Sequence, residues 1–306
     1  MLVDLPSLIM QFRTGVVAMS ADIARAFLSV QLAEKDRRYV RFLWYKDNDP
    51  SKGIVPYQHN TVIFGSTASP FTLAAVLSKH FDAHRDSWVA QDMGMKLYVD
   101  NLLSTLSKED QVSEYFEEAM EIMQRGNFRL RQWASNSQLL MKKATNRDIH
   151  VRDTTSVPLL GMTWNADNDV ITIARKSMTQ TEATITKRKV ASRTAALFDP
   201  LGLVAPVTVT AKVFINKLWQ SSKEWDQELD QSELKEWSII HSNLNQTHQI
   251  EFPRWLGFDN ESPIKLMVFC DAAPNSAVGC VIYGKQGNKI RLIGSKNKVI
   301  SKAKAG

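Results

Sequence analysis

The sequence predicts an α+β fold in which antiparallel strands carry packed helices, followed by a helical middle section and a strand-rich end. Three observations support this. β-rich segments bounded by turn formers recur between residues 15 and 105, a helical apolar face runs through 107–125, and the apolar period returns to two after Pro263.

In order along the chain, GVVAMSADIARAF (15–27) runs extended through Val16, Val17 and Met19 into Asp22. The apolar residues Ile23, Ala26 and Phe27 then take a helical or turn-like spacing. YVRFLWY (39–45) is an aromatic strand closed by the turn cluster DNDPSKG. In VIFGSTASPFTLAAVLSKHF, Gly65 and Pro70 punctuate the chain just before a helix, with Pro70 suited to its first turn and Ser69 to its cap. KLYVDNLLST (96–105) predicts two short strands around a tight turn with Asp100 and Asn101 at the tip.

The clearest helix covers 107–125. Val112, Tyr115, Phe116, Ala119, Ile122 and Met123 form one apolar face, Ser107 can cap it, and acids at 109, 110 and 114 suit its positive end. VPLLGMTWNADNDVITI predicts two strands around an Asp/Asn turn. Helices are predicted over 181–196, 207–219 and 232–242, with a rigid turn at FDPLGLVAP bracketed by Pro200 and Pro206. KLMVFCDAAPNSAVGCVIYG predicts strand, turn and second strand, which places a domain boundary near 255–263.

Composition excludes several classes. A chain of 306 residues, 44% hydrophobic and 23% charged, can build two or three cores and is not disordered as a whole. Every apolar run is broken well short of the roughly 18 residues that span a bilayer, and MLVDLPSLIMQF has neither a basic leader nor a small-residue cleavage site. Cys270 and Cys280 are the only cysteines, and no Cys/His group has metal-ligand spacing, which points to a reducing, intracellular setting. Between Arg125 and Arg193, thirteen Lys or Arg face five Asp or Glu, an excess of eight against +6 for the whole chain. Blocks at Lys142-Lys143 and Lys187-Arg188-Lys189 could meet a phosphate backbone, although a single such pair is more often part of an ordinary solvated face.

Asp22 and Asp100 each end or interrupt an apolar β segment. Converging from neighbouring strands, two such carboxylates would make a site for hard divalent cations of the kind used in phosphoryl or nucleotidyl transfer. Taken separately, an aspartate in either place is more often a turn or cap residue.

The ordered blocks ADIARAF (21–27), FGSTASPF (64–71), YVDN (98–101), NFRLRQWASN (127–136), LLGMTW (159–164) and FDPLGLVAP (198–206) resemble the reverse transcriptase of LTR retrotransposons of the BEL/Pao group. The first three look like palm motifs A, B and C. The resemblance implies a reverse-transcriptase palm with partial fingers over 1–178 and a thumb-like or connection helical segment over 179–262. MVFCDAAPNSAVGCVIYG resembles the first strands of an RNase H-like α/β domain, which implies a fragment of one over 263–306 with Asp271 as a remnant metal aspartate.

The implied activity is RNA-directed DNA polymerase, adding dNTPs to a primer 3′-hydroxyl on an RNA or DNA template with Mg²⁺ or Mn²⁺. Asp22 and Asp100 would bind the metal with the backbone carbonyl of Ile23, and Phe27 would be the gate against a ribose 2′-hydroxyl. Phe64 and Gly65 would line the nucleotide pocket. Arg129 and Arg131 join Lys142, Lys143, Lys187, Arg188 and Lys189 as candidates for nucleic-acid contact.

Asn101 departs from the family pattern, which has a second aspartate there, so one ligand charge is missing and weakened metal affinity follows. The few residues before Asp22 and the end at Gly306 suggest a fragment of a polyprotein or a degenerate copy. The alternative expectation is therefore a catalytically inactive, truncated relic that keeps only nucleic-acid binding. Other polyprotein segments are expected partners and a membrane is not; cytoplasmic particles, or the nucleus, are the expected location.

Overall fold

The computed structural model describes residues 3–174, 184–259, 262–274 and 276–300. Its residues divide into two units, one of 1–4 with 15–152, the other of 5–14 with 153–306. Among the described residues, no helix is long and apolar enough to cross a membrane.

Helix α1 (Leu5–Phe12) belongs to the second unit. The first unit is built on a four-stranded antiparallel sheet in the order β4-β5-β1-β6, with β1 (Val17–Ile23), β4 (Leu97–Tyr98), β5 (Asn101–Leu106) and β6 (Leu130–Ser135). Flanked on both edges, β1 is buried along its length except at Asp22, which is half-buried; this is why it reads as an apolar run with one charge. A short helix α2 (Glu34–Arg37) leads to the β2 (Arg41–Tyr45) and β3 (Ile54–Gln58) hairpin. Helices α3 (Ser69–Asp82), α4 (Trp88–Lys96), α5 (Val112–Arg125) and α6 (Gln138–Asn146) complete the unit, and all four bury side chains in one core with the sheet. The six apolar residues read as one face of α5 are all buried.

Three local expectations are corrected. Ser69 is the first residue of α3, and its hydroxyl donates to the Ile63 carbonyl (2.6 Å), tying down the preceding loop; Ala68 holds the cap position without a side-chain bond. Ser107 does not cap α5, because a 3₁₀ turn at Glu109–Gln111 precedes the helix and Lys108 stands before it. The segment 157–173 forms three strands, β7 (Val157–Leu159), β8 (Met162–Asn165) and β9 (Val170–Ile173), because Leu160 and Gly161 both take positive φ (47° and 94°) and reverse the chain.

The second unit joins β7–β9 and β10 (Phe252–Pro253) in one antiparallel sheet, and α7 (Lys187–Ala196), α8 (Ala205–Gln220) and α9 (Gln231–Gln246) around a second core. The expected helix start at 181–183 and the expected division at 178/179 lie outside the described residues. A three-stranded antiparallel sheet, β11 (Lys265–Ala273), β12 (Ala277–Gln286) and β13 (Lys289–Val299), follows; the third strand was not anticipated.

The rigid turn before α8 has a physical basis. The Asp199 carboxylate accepts from the amides of Leu203 (2.8 Å) and Val204 (2.9 Å), and Pro206 sits in the first turn of the helix. Gly202 there has φ +69°, and a Cβ on it would lie 1.9 Å from the Ser295 carbonyl oxygen. Backbone cannot retreat as a side-chain tip can. Gly202→Ala is therefore expected to cost roughly 2 kcal/mol or more, from backbone strain plus displacement of β13, as measured by urea unfolding.

Candidate active site

The candidate site lies where β1 ends between its two neighbours. Asp22 is the cross-strand partner of Asn101 on β5 and of Arg131 on β6. The Ile23 amide donates to the Asp100 carbonyl (2.9 Å), so Asp22 and Asp100 stand on adjoining backbone. The sheet thus brings together Asp22, Ile23, Asp100, Asn101 and Arg131 from three segments far apart in sequence.

Two backbone irregularities aim these side chains. The turn joining β4 to β5 is Val99-Asp100, not Asp100-Asn101: Tyr98 pairs with Asn101, which is already the first residue of β5. Val99 takes φ +57°, where a β-branched residue is strained and glycine is usual in a two-residue hairpin. On the other side, the β1–β6 register slips between Ser20 and Asp22, so β6 carries one extra residue there, and Gln132 takes φ +54°. A bulge of this kind resets which face the next side chain uses. It puts Arg131 opposite Asp22, and Arg152 braces it by donating to the Gln132 side chain (2.8 Å).

The polar contacts define the electrostatics. Arg131 Nε donates to Asp22 Oδ2 at 3.1 Å, with the Asp22 side chain 14% and the Arg131 side chain 48% exposed. Asn101 Nδ2 donates to Asp100 Oδ1 at 2.8 Å. Partial burial, and then the charge of Asp22, push the Asp100 carboxyl above its ordinary value, only partly offset by hydrogen bonds and Arg131. Two carboxylates that resist sharing their charge suit one hard divalent cation such as Mg²⁺ or Mn²⁺. Among the described residues, no group of three or more His, Cys, Asp or Glu could hold a metal ion, so the donor set ends at this pair with the amide oxygen of Asn101 and backbone carbonyls.

A raised carboxyl favours its protonated form in the folded protein, so ionising it as pH rises through that value costs stability. Asp100→Asn, which imitates the protonated form, is therefore expected to raise the melting temperature slightly at pH 7 while removing cation-induced stabilisation. A lower melting temperature would show that Asp100 is held by favourable contacts instead.

Phe27 lies on a 3₁₀ turn (Ala26–Ser29) directly after β1, 9% exposed, with its ring edge-on to Phe64 at 5.0 Å. Phe64 itself is 64% exposed, and Gly65 takes φ +86° with open space where a Cβ would stand. An aromatic pair beside a glycine turn is thus assembled from the 21–27 and 64–71 blocks.

The basic candidates separate clearly. Arg129 and Lys142 are exposed. Arg129 also gives its backbone carbonyl to the Ala24 amide (2.8 Å), beside the site. Lys143 pairs with Glu117 (3.0 Å), which Arg147 also meets. The 187–189 block does not present three free cations. Lys187 is buried with its ammonium over the rings of Trp219 and Trp225, Arg188 is bidentate to Asp226, and Lys189 donates to the Thr184 carbonyl (2.9 Å). Asp271 is exposed on β11 opposite Gly279, with no metal-binding group around it among the described residues.

Two contributors were missed by sequence reasoning. Gln132 carries the bulge, and Asp92 anchors α4 to β5 by accepting from Ser104 (2.5 Å) and Tyr115 (2.9 Å) and pairing with Lys96 (2.6 Å). A glutamine in a strand and an aspartate in a weakly amphipathic helix carry no local signal of these roles. No curated protein matches the chain. Residues 186–305 match the family model of the Pao retrotransposon-like RNaseH-like domain, a similarity that takes in α7, α8 and α9 as well as the strands from β10 to β13.

Proposed function

We propose that this chain is a retroelement-derived nucleic-acid-binding protein whose Asp22–Asp100 site is of the reverse-transcriptase type and is impaired for nucleotidyl transfer. The observation that carries this reading is the occupancy of the two carboxylates: the Asn101 amide donates to Asp100, and the Arg131 guanidinium donates to Asp22. Two-metal transfer needs ligand charge for both cations, and here a neutral amide stands where a third carboxylate would contribute.

When bound, a divalent cation would supply Lewis-acid activation of a primer 3′-hydroxyl. Asp22 and Asp100 would hold it, with the Ile23 carbonyl as a further donor. Phe27, Phe64 and Gly65 would bound the dNTP pocket, and a phenylalanine nearly buried after β1 suits the exclusion of a 2′-hydroxyl. Arg129 and Lys142, exposed in a stretch of positive excess, suit a phosphate backbone. The similarity of 186–305 to a retrotransposon domain supports the same origin. On this reading the palm occupies 1–178, thumb or connection helices 179–262, and RNase H-like strands 263–306, with Asp271 too isolated to cleave RNA.

The test is a labelled RNA–DNA primer-template, with binding followed by anisotropy across a salt series and extension followed with dNTPs and Mg²⁺ or Mn²⁺. Binding that weakens with salt and loses about one unit of salt slope in Arg129→Ala or Lys142→Ala is expected. Extension should be slow or absent. Efficient extension that Asp100→Ala abolishes would make the chain a working polymerase instead. Absence of salt-dependent binding would remove the nucleic-acid reading.

A further inference from the structure

We propose that Cys270 and Cys280 form a thiol–disulfide exchange site that takes a small anionic disulfide, glutathione disulfide by class, and ends as an intrachain disulfide across β11 and β12. Nothing in this inference depends on the polymerase-type reading of the first unit.

The register makes Cys270 and Cys280 directly opposite partners in an antiparallel pair. Such partners have Cα atoms about 4.5–5.5 Å apart and side chains on one face, inside the roughly 4.4–6.8 Å span of disulfides. The two thiols are free, and as directly opposite residues they stand side by side on one face of the sheet. Cys270 is exposed and Cys280 half-buried, which lets a reagent reach the first with the second behind it.

The surroundings select the reagent. Lys296 on β13 is the cross-strand partner of Cys280, and Lys298 is the partner of Val278 two residues along. Strand alternation puts both lysines on the cysteine face, and both are exposed. Asp271 and Phe269, one residue away from Cys270 on either side, fall on the opposite face. The dithiol face therefore carries positive charge, which suits a disulfide bearing carboxylates.

The order of reaction follows from the difference in exposure. Cys270, the exposed thiol, meets the reagent first, and Cys280, half-buried directly opposite it, stands ready to resolve the mixed disulfide. Cys270 thiolate attacks one sulfur of glutathione disulfide, forming a mixed disulfide and releasing one glutathione thiolate, which takes up the proton that Cys270 lost. Cys280 then gives up its proton and attacks Cys270 sulfur, expelling the second glutathione. Two protein thiols are oxidised to one disulfide, and one glutathione disulfide is reduced to two thiols. The second step is intramolecular between directly opposite cross-strand residues, so the mixed disulfide should not accumulate. The product would lock β11, which among the described residues is paired only on its β12 side.

The experiment is intact-mass and peptide mapping of the whole reduced chain after incubation with glutathione disulfide. The wild-type protein is expected to lose two hydrogens, as a Cys270–Cys280 link, without a glutathione adduct. Cys280→Ser should trap one glutathione on Cys270, and Cys270→Ser should react on the order of tenfold more slowly. Stable adducts on the wild-type protein, a link between two chains, or thiols that stay unreacted would each overturn the proposal.

Discussion

Arg254→Ala is expected to destabilise the unit of residues 5–14 and 153–306 by about 3–5 kcal/mol, the cost of breaking a buried pair by removing one partner. Arg254 is fully buried. Its guanidinium meets Asp169 through Nε (2.5 Å) and Nη2 (2.8 Å), donates to the Phe12 carbonyl (2.8 Å) and lies over the Phe12 ring at 5.6 Å. The same carboxylate accepts from the indole of Trp164 (3.1 Å), and the Arg254 amide donates to the Asp169 carbonyl (2.9 Å). One arginine thus ties α1, the β8–β9 turn and β10 together.

A second buried arginine raises the stakes. Arg13 donates to the carbonyls of Pro253, Leu292 and Ile293, and burial, then the charge of Arg254, push its guanidinium down to about 10. Arg13 therefore stays charged at neutral pH, close enough to the Arg254 guanidinium to feel its charge, and Arg254 is the cation that Asp169 pairs with. Asp169→Ala should cost as much as Arg254→Ala, since it leaves the fully buried Arg254 guanidinium without its carboxylate. Asp169→Asn should cost less, because asparagine keeps an acceptor for Trp164 and tolerates the φ of +53° at this position. Urea unfolding of the three variants decides the matter: a loss under about 1 kcal/mol for Arg254→Ala would mean that water replaces the network at little cost.

The uneven legibility of the chain has physical causes. Helix α5 could be read because a single face meets the core, so Val112 to Met123 repeat at helical spacing with acids outside. The nearness of Asp22 and Asp100 could be read because each stands at or near the end of a short apolar β segment, and antiparallel pairing of such segments brings their ends together. Helix α4 left no such trace, since Gly94 and its polar neighbours dilute the pattern and its anchor, Asp92, is a polar residue turned inward. The β7–β8 turn was hidden because leucine, not a turn former, takes the first left-handed position. Charge misled at Lys187: a basic triplet looks like a phosphate site, yet two tryptophans more than thirty residues later in sequence enclose its first member. Neither Arg254 nor the bulge at Gln132 has a local signature, because each is defined by partners the sequence does not place beside it.

Asn101→Asp is expected to act in opposite directions on stability and on cation binding, which makes it diagnostic of the site. Without cation, a third carboxylate beside Asp22 and Asp100 adds like-charge repulsion and replaces the Asn101 donor that now holds Asp100 Oδ1. The melting temperature should fall, the reverse of the Asp100→Asn effect. With Mn²⁺ it should recover beyond the wild-type gain, since a ligand that binds only the folded state stabilises it in proportion to its affinity. One added ligand charge should tighten cation binding on the order of tenfold to a hundredfold, and primer extension should rise at least as much. The added charge also pushes Asp100 further up, so cation affinity in the variant should fall more steeply as pH drops and protons compete for the same oxygens. Equal extension rates for the wild-type chain and Asn101→Asp, with equal Mn²⁺ shifts, would mean that the amide at 101 costs the site nothing and that the impairment assigned to it is wrong.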